Sequence, residues 1–172
     1  MTPALLVISG AVGVGKTATG YEVATLLQGL RIPHTFVDFD ALSDTWPVPD
    51  DDRWNTRLAL ANLRSIWRNC ATAGSRNLVV AQVVETPTFR DELIAAVAAD
   101  PALLVRLRAS EPILHERVVG REHGRALAWH LARSSELAEQ YEHDDPADVV
   151  VDTDGRSVID VAHELLGLID WR

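Results

Sequence analysis

Five short apolar runs punctuate the chain: residues 4–8, His34–Val37, Leu78–Val84, Ala102–Leu107 and Val149–Val151. Most are continuous rather than alternating, as expected of strands buried on both faces. Between them the apolar positions switch to helical spacing. Val23, Leu26, Leu27 and Leu30 share one helix face, as do Leu60, Leu63, Trp67 and Cys70. Thr86-Pro87 offers an N-cap followed by a first-turn proline, and Ser110-Glu111-Pro112 gives a similar start before Ile113, Leu114 and Val118. Ser157 precedes the stripe Val158, Val161, Ala162, Leu165 and Ile169. Strands alternating with helices predict a three-layer α/β/α domain around a five-stranded parallel sheet with right-handed crossovers. Two stretches break the pattern. Residues 41–53 hold two prolines and three successive aspartates and read as a long loop over the carboxyl edge of the sheet. Residues 120–128 are interrupted by Gly120 and Gly124, candidate hinges.

The first strand and the first helix are joined by Gly10-Ala11-Val12-Gly13-Val14-Gly15-Lys16-Thr17, which fits the phosphate-loop pattern G-x-x-x-x-G-K-[ST]. Glycines let backbone N–H groups turn toward phosphate oxygens, and the helix N-terminus adds a partial positive charge. Lys16 is placed to reach the β- and γ-phosphates of ATP, and the Thr17 hydroxyl to ligate Mg²⁺. Lys16 is also the chain's single lysine. Every other permanently charged basic side chain is an arginine, so lysine is kept for the position that needs a compact ammonium on a flexible stem.

Composition narrows the remaining choices. At 172 residues the chain is read as one domain, 1–172, able to bury roughly 70% of its unfolded surface. Cys70 is alone, which excludes an internal disulfide and suggests a reducing compartment. No basic leader with a long apolar run opens the chain, and no run approaches the ~20 residues of a membrane span. The expectation is a cytoplasmic protein with no membrane contact. A formal charge of −9 disfavours a nucleic-acid partner, whose surface needs a basic face, but leaves room for a small phosphorylated ligand in a locally positive pocket.

Further candidates follow the predicted strand ends. In Val37-Asp38-Phe39-Asp40 two carboxylates lie two residues apart on one side of an extended segment. One would help hold Mg²⁺, with Asp38 as the metal-side candidate; one would accept the proton of an attacking hydroxyl, and spacing does not choose between Asp38 and Asp40. After the third strand, Gln82 stands where a second acid would be expected, and it can hydrogen-bond substrate or water but is a poor metal ligand. Glu85 is the fallback acid or, equally, a helix N-terminal acid. Arg117, Arg121 and Arg125 recur every four residues, so that a continuous helix would align them, with Arg133 about two turns on. Such a row would clamp ATP phosphates and stabilise transferring charge. Trp46 on the proline-rich loop would close over a substrate, and His130 is a substrate-contact candidate. Trp129 reads as packing, as do Trp54, Trp67 and Trp171.

Together these residues resemble the small-molecule kinase branch of the phosphate-loop NTPases, which includes shikimate, gluconate, adenylylsulfate and chloramphenicol kinases. Leu107 to Arg121 resembles the fourth strand and an arginine-bearing lid helix of that group. Val150-Val151-Asp152-Thr153 followed by Ser157 is similar to its last strand and adenine-side loop. The pattern around Gly124, Trp129-His130 and Val151-Asp152-Thr153 is most similar to the chloramphenicol phosphotransferase-like group. The resemblance implies an ATP- and Mg²⁺-dependent transfer of the γ-phosphate to a hydroxyl of a small molecule. Lys16, Arg121 and one of the two aspartates would be catalytic. Residues 10–17, Arg117 and Arg121 would hold ATP, and Trp46, Gln82, Glu85, Arg125 and His130 would join the aspartates around the acceptor. A lid would span about residues 117–133. The alternative is a catalytically weakened ATP-binding module acting through a partner. A guanine-reading N-K-x-D motif does not occur, because the single lysine is already placed in the phosphate loop.

Overall fold

A computed structural model describes residues 2–121 and 123–171. Five strands, β1 (Ala4–Ser9), β2 (His34–Asp38), β3 (Asn77–Ala81), β4 (Ala102–Arg108) and β5 (Val149–Asp152), form one parallel sheet in the order β2-β3-β1-β4-β5. Each of the five apolar runs supplies one strand. The run at 78–84 overreaches: β3 stops at Ala81. There the backbone leaves the ladder, because Val83 N–H is taken by the side-chain oxygen of Gln82 (2.7 Å) and Val84 N–H by Ser9 Oγ (2.9 Å).

Alternation along β1 sorts the core. Leu6 and Ile8 face one side with Val79, Val105, Leu107 and Val151. Against them pack α1 (Lys16–Gly29), α5 (Glu111–Arg121), α6 (Arg125–His143) and α7 (Val158–Gly167) through Val23, Leu27, Leu114, Leu137, Val161 and Leu165. Leu5 and Val7 face the other side with Val37, Leu78, Val80 and Leu104. That face is covered by α3 (Thr56–Thr72) and α4 (Pro87–Val97) through Ala59, Leu63, Trp67, Leu93, Ala96 and Val97. Strands buried on both faces need these continuous apolar runs, and the result is the expected three-layer α/β/α arrangement. Among the described residues no helix is long and apolar enough to cross a membrane.

The helix starts follow their capping chemistry. Thr86 Oγ1 accepts the Phe89 N–H (3.2 Å) with Pro87 in the first turn, and Ser157 Oγ accepts the Asp160 N–H (3.1 Å). Two readings of the sequence need correction. The 41–53 segment is not loop throughout: α2 (Asp40–Ser43) occupies its beginning, and the irregular chain runs from residue 44 to 55. The arginines 117, 121 and 125 do not share a continuous helix, because α5 ends at Arg121 and α6 starts at Arg125. Gly124, at φ +66°, supplies the break, whereas Gly120 lies inside α5.

Candidate active site

All five strands point their carboxyl ends to one edge, and the phosphate loop sits there between β1 and α1. Its carbonyls are held by side chains. Lys16 Nζ donates to Gly10 O (2.9 Å) and Ala11 O (3.1 Å). Ser134 of α6, fully buried, donates to Val12 O (2.7 Å), and Arg117 of α5 donates to Val14 O (3.2 Å). The loop's path requires glycine. A Cβ on Gly10 (φ +133°) would lie 2.4 Å from Leu107 O, and one on Gly13 (φ +88°) would lie 2.9 Å from Leu114 O. Both approaches are far inside contact distance, and both backbones lie where side chains are strained.

From the first turn of α1, Thr17 Oγ1 donates to Asp38 Oδ2 (2.8 Å), and the other carboxylate oxygen of Asp38 accepts the Asp40 N–H (3.2 Å). Asp38, at the end of β2, therefore faces the threonine. Asp40 opens α2 and turns into a cavity of about 810 Å³ that it lines together with Lys16, Thr17 and Arg121. Burial lowers the Lys16 ammonium to about 8, opposed by Asp40 and reinforced by Arg121. Burial likewise raises the Asp40 carboxyl above its ordinary range, with Lys16 opposing and Asp38 adding to the rise. The cavity thus holds an acid and an ammonium whose desolvation brings them toward neutrality, a pattern found at sites of proton transfer.

The far wall of the cavity is formed by the β3–α4 connection and α6. Gln82, Glu85 and His130 line it, as the sequence suggests. Gln82 follows the end of β3, with its backbone N–H on Ile8 O (3.1 Å) and its side-chain oxygen on Val83 N–H. The Glu85 carboxylate accepts from Arg133, which also pairs with Glu136 (2.9 Å). Tyr141 braces this wall from behind, donating to Val84 O (3.0 Å) and meeting Ser9 Oγ (3.3 Å). Burial pushes its phenol up to about 12, keeping it a neutral donor.

Two candidates lie elsewhere, and a third is not described. Arg117 is outside the cavity lining, and besides Val14 O it binds Thr153 Oγ1 (3.1 Å) and Thr153 O (3.4 Å), joining the phosphate loop to the segment after β5. Trp46 is 88% exposed and does not line the cavity. The side chain of Arg125 lies outside the described residues. Conversely, Trp54 and Trp129, read from sequence as packing, both line the cavity, with ring centroids 6.1 Å apart and planes tilted by 46°. Spacing does not reveal this pair, since 75 positions separate the two rings. The only available signal was an aromatic flanking each irregular segment.

Mg²⁺ binds hard oxygen ligands, keeps several waters and commonly takes one or two protein groups together with substrate phosphates. The Thr17 hydroxyl and Asp38 carboxylate, in mutual hydrogen-bond contact beside the loop, fit that donor set. Among the described residues no group of three His, Cys, Asp or Glu side chains gathers into a fuller cation cage.

No protein-family model matches the chain, and no curated protein matches its sequence. Its fold, however, recurs among solved structures. The tunicamycin resistance protein of Deinococcus radiodurans superposes with a TM-score of 0.69 at 15% identity, covering 100% of this chain and 98% of that one. A gluconokinase from Sinorhizobium meliloti 1021 gives 0.62 at 26% identity over 96% and 90%. The Mycobacterium tuberculosis APS kinase, solved with AMPPNP and APS, gives 0.64 at 18% identity over 97% of each chain. The chain has the fold of the phosphate-loop small-molecule kinases, the group that its sequence as a whole resembles.

Proposed function

We propose that this protein transfers the γ-phosphate of ATP to a hydroxyl group of a small molecule. The observation that carries the reading is the convergence of Lys16, Arg121 and Asp40 on one cavity that runs from the phosphate loop to an acceptor wall. Phosphoryl transfer asks a protein chiefly for position and charge stabilisation, and those three side chains supply both.

Residues 10–17 would hold the phosphates through loop amides and the Lys16 ammonium. Thr17 and Asp38 would hold Mg²⁺, which would supply positive charge to offset that of the phosphates. Asp40 is the base. It faces the cavity, whereas both Asp38 oxygens are already engaged by Thr17 and the Asp40 amide, and a base must reach the proton it removes. Its raised proton affinity suits it to accept that proton from the attacking hydroxyl. Arg121, at the end of α5, would stabilise charge on the transferring group. Residues 117–133 would act as a lid, hinged where Gly124 separates α5 from α6. The acceptor would rest between the 44–55 segment, the Gln82–Glu85 wall and His130. Arg117 would act on ATP indirectly, by fixing Val14 and Thr153.

The competing reading, a weakened ATP-binding module, draws on Gln82 in place of an acid. One experiment separates the two: transfer of label from γ-labelled ATP to a panel of hydroxyl metabolites, with wild-type protein and Asp40→Asn. Acceptor-dependent ADP formation that Asp40→Asn abolishes supports the kinase. Nucleotide binding without transfer to any acceptor supports the module.

A further inference from the structure

We infer that Gln82 is a hydrogen-bond donor to the γ-phosphoryl group, at a position where the sequence leads one to expect an acid. This rests on the phosphotransfer reading above and adds one residue to its machinery.

Topology puts Gln82 on the midline of the site. β3 lies between β1, which leads into the phosphate loop, and β2, which leads to Asp40. Ala81, the last residue of β3, is in register with Ile8 on one side and Asp38 on the other. Gln82 comes next. Its backbone N–H donates to Ile8 O (3.1 Å), and on the other side Phe39 N–H donates to Ala81 O (3.1 Å). From this central strand end it lines the same cavity as Lys16 and Asp40. In phosphoryl transfer the attacking and leaving oxygens are roughly in line, and charge spreads over the equatorial oxygens between them. A group passing from the loop to a hydroxyl at Asp40 crosses the end of β3.

The neighbouring amide fixes which end of the Gln82 side chain faces which way. Val83 N–H can only donate, so the atom opposite it at 2.7 Å is the carboxamide oxygen, and the nitrogen is the other arm. The polar atoms that Gln82 has left to offer the cavity are two N–H donors. Phosphoryl oxygens accept such donors directly, with a charge-assisted bond, whereas a carboxylate in this place would need a cation between. The mount is braced as well. Ser9 Oγ accepts Val84 N–H (2.9 Å), and Val84 O accepts the Tyr141 hydroxyl (3.0 Å), so the chain just past Gln82 is held from both sides. A donor fixed in advance needs little reorganisation when charge develops in front of it.

The test isolates the γ-phosphate from the rest of the nucleotide. Calorimetry on the full-length protein with Mg²⁺ compares AMPPNP and ADP for wild type, Gln82→Met and Gln82→Glu. Gln82→Met keeps the length and removes the donors. Gln82→Glu keeps an oxygen for Val83 N–H and offers no donor at neutral pH. Gln82→Met should weaken AMPPNP about tenfold or more, as expected for a hydrogen bond to a charged group, and leave ADP, the control for folding, within about twofold. Gln82→Glu adds a charge and should widen the gap between the two nucleotides further. In the proton–nitrogen correlation spectrum of the wild type, the Gln82 side-chain amide signals, assigned by their loss in both variants, should move with AMPPNP and not with ADP. Equal losses for the two nucleotides, no loss for either, or Gln82 signals indifferent to AMPPNP would overturn the inference. Transfer from ATP to a hydroxyl alongside any of these results would leave the kinase reading standing. Binding that depends on Gln82 only when the γ-phosphate is present, with no transfer to any hydroxyl, would uphold the inference and sink the kinase reading alone.

Discussion

Thr17 and Asp38 are joined by a 2.8 Å hydrogen bond that ties the first turn of α1 to the end of β2. The same carboxylate accepts the Asp40 amide, so Asp38 sets the distance between the phosphate loop and the residue proposed as base. Asp38→Asn keeps the shape of the side chain but removes its charge. We expect the Mg²⁺ concentration for half-maximal turnover to rise about tenfold, in line with the loss of one charge-assisted contact. A magnesium titration at saturating ATP measures it, and an unchanged midpoint would remove Asp38 from the metal side.

Asp40 is the proposed base. Asp40→Asn should lower turnover by about 10²- to 10⁴-fold, the usual contribution of a general base, with little change in nucleotide affinity. The same substitution should raise thermal stability at neutral pH. The folded state raises this carboxyl's proton affinity, so ionising it opposes folding above the ordinary carboxylate range, and the effect disappears below that range, where both states are protonated. Melting curves from pH 3 to 7 test the sign: the advantage of the variant must grow with pH.

Burial lowers Lys16 from its ordinary 10.5 to about 8. Nucleotide affinity of the free protein should therefore fall as pH rises through about 8, because the phosphates need the ammonium. Stability should move the other way. The unfolded chain holds this proton between pH 8 and 10.5 while the folded chain sheds it, so the penalty for burying the charge fades across that window. Lys16→Met should be more stable than wild type at pH 7 and lose that lead toward pH 10.5. A lead that grows with pH would contradict the environment described here.

Gly13 has no room to change. A methyl group would sit 2.8 Å from Val118 Cγ2 and 2.9 Å from Leu114 O, on a backbone at φ +88°. Gly13→Ala should cost about 1–3 kcal/mol from backbone strain alone and weaken ATP binding beyond what the stability loss explains, since α5 and the loop must separate. Gly120→Ala in the same helix meets open space and serves as the contrast. Chemical denaturation and calorimetry on both variants make the comparison.

Sequence was most legible where the physics is local or repeated. Parallel strands buried on both faces write their position as apolar runs, and the caps Thr86 and Ser157 act within three residues of themselves. The phosphate loop is legible for the same reason: its glycines, Lys16 and Thr17 serve one short turn. The far wall was not. Glu85 finds Arg133 across 48 residues, and Ser134 finds Val12 across 122, so nothing in spacing announces either. The arginine row misled because periodicity assumes one helix axis, and Gly124 ends it. Trp46 and Trp54 differ by eight positions in the same segment, yet only the latter lines the cavity, next to Asn55, which is anchored to Ser43.

The solitary lysine has a practical corollary. Among side chains, a reagent that acylates primary amines finds one target in this chain, and burial lowers the proton affinity of that amine toward the mildly alkaline range where such reagents are used. If the loop binds a triphosphate as proposed, mass spectrometry of a single peptide would report how far that ligand shields it.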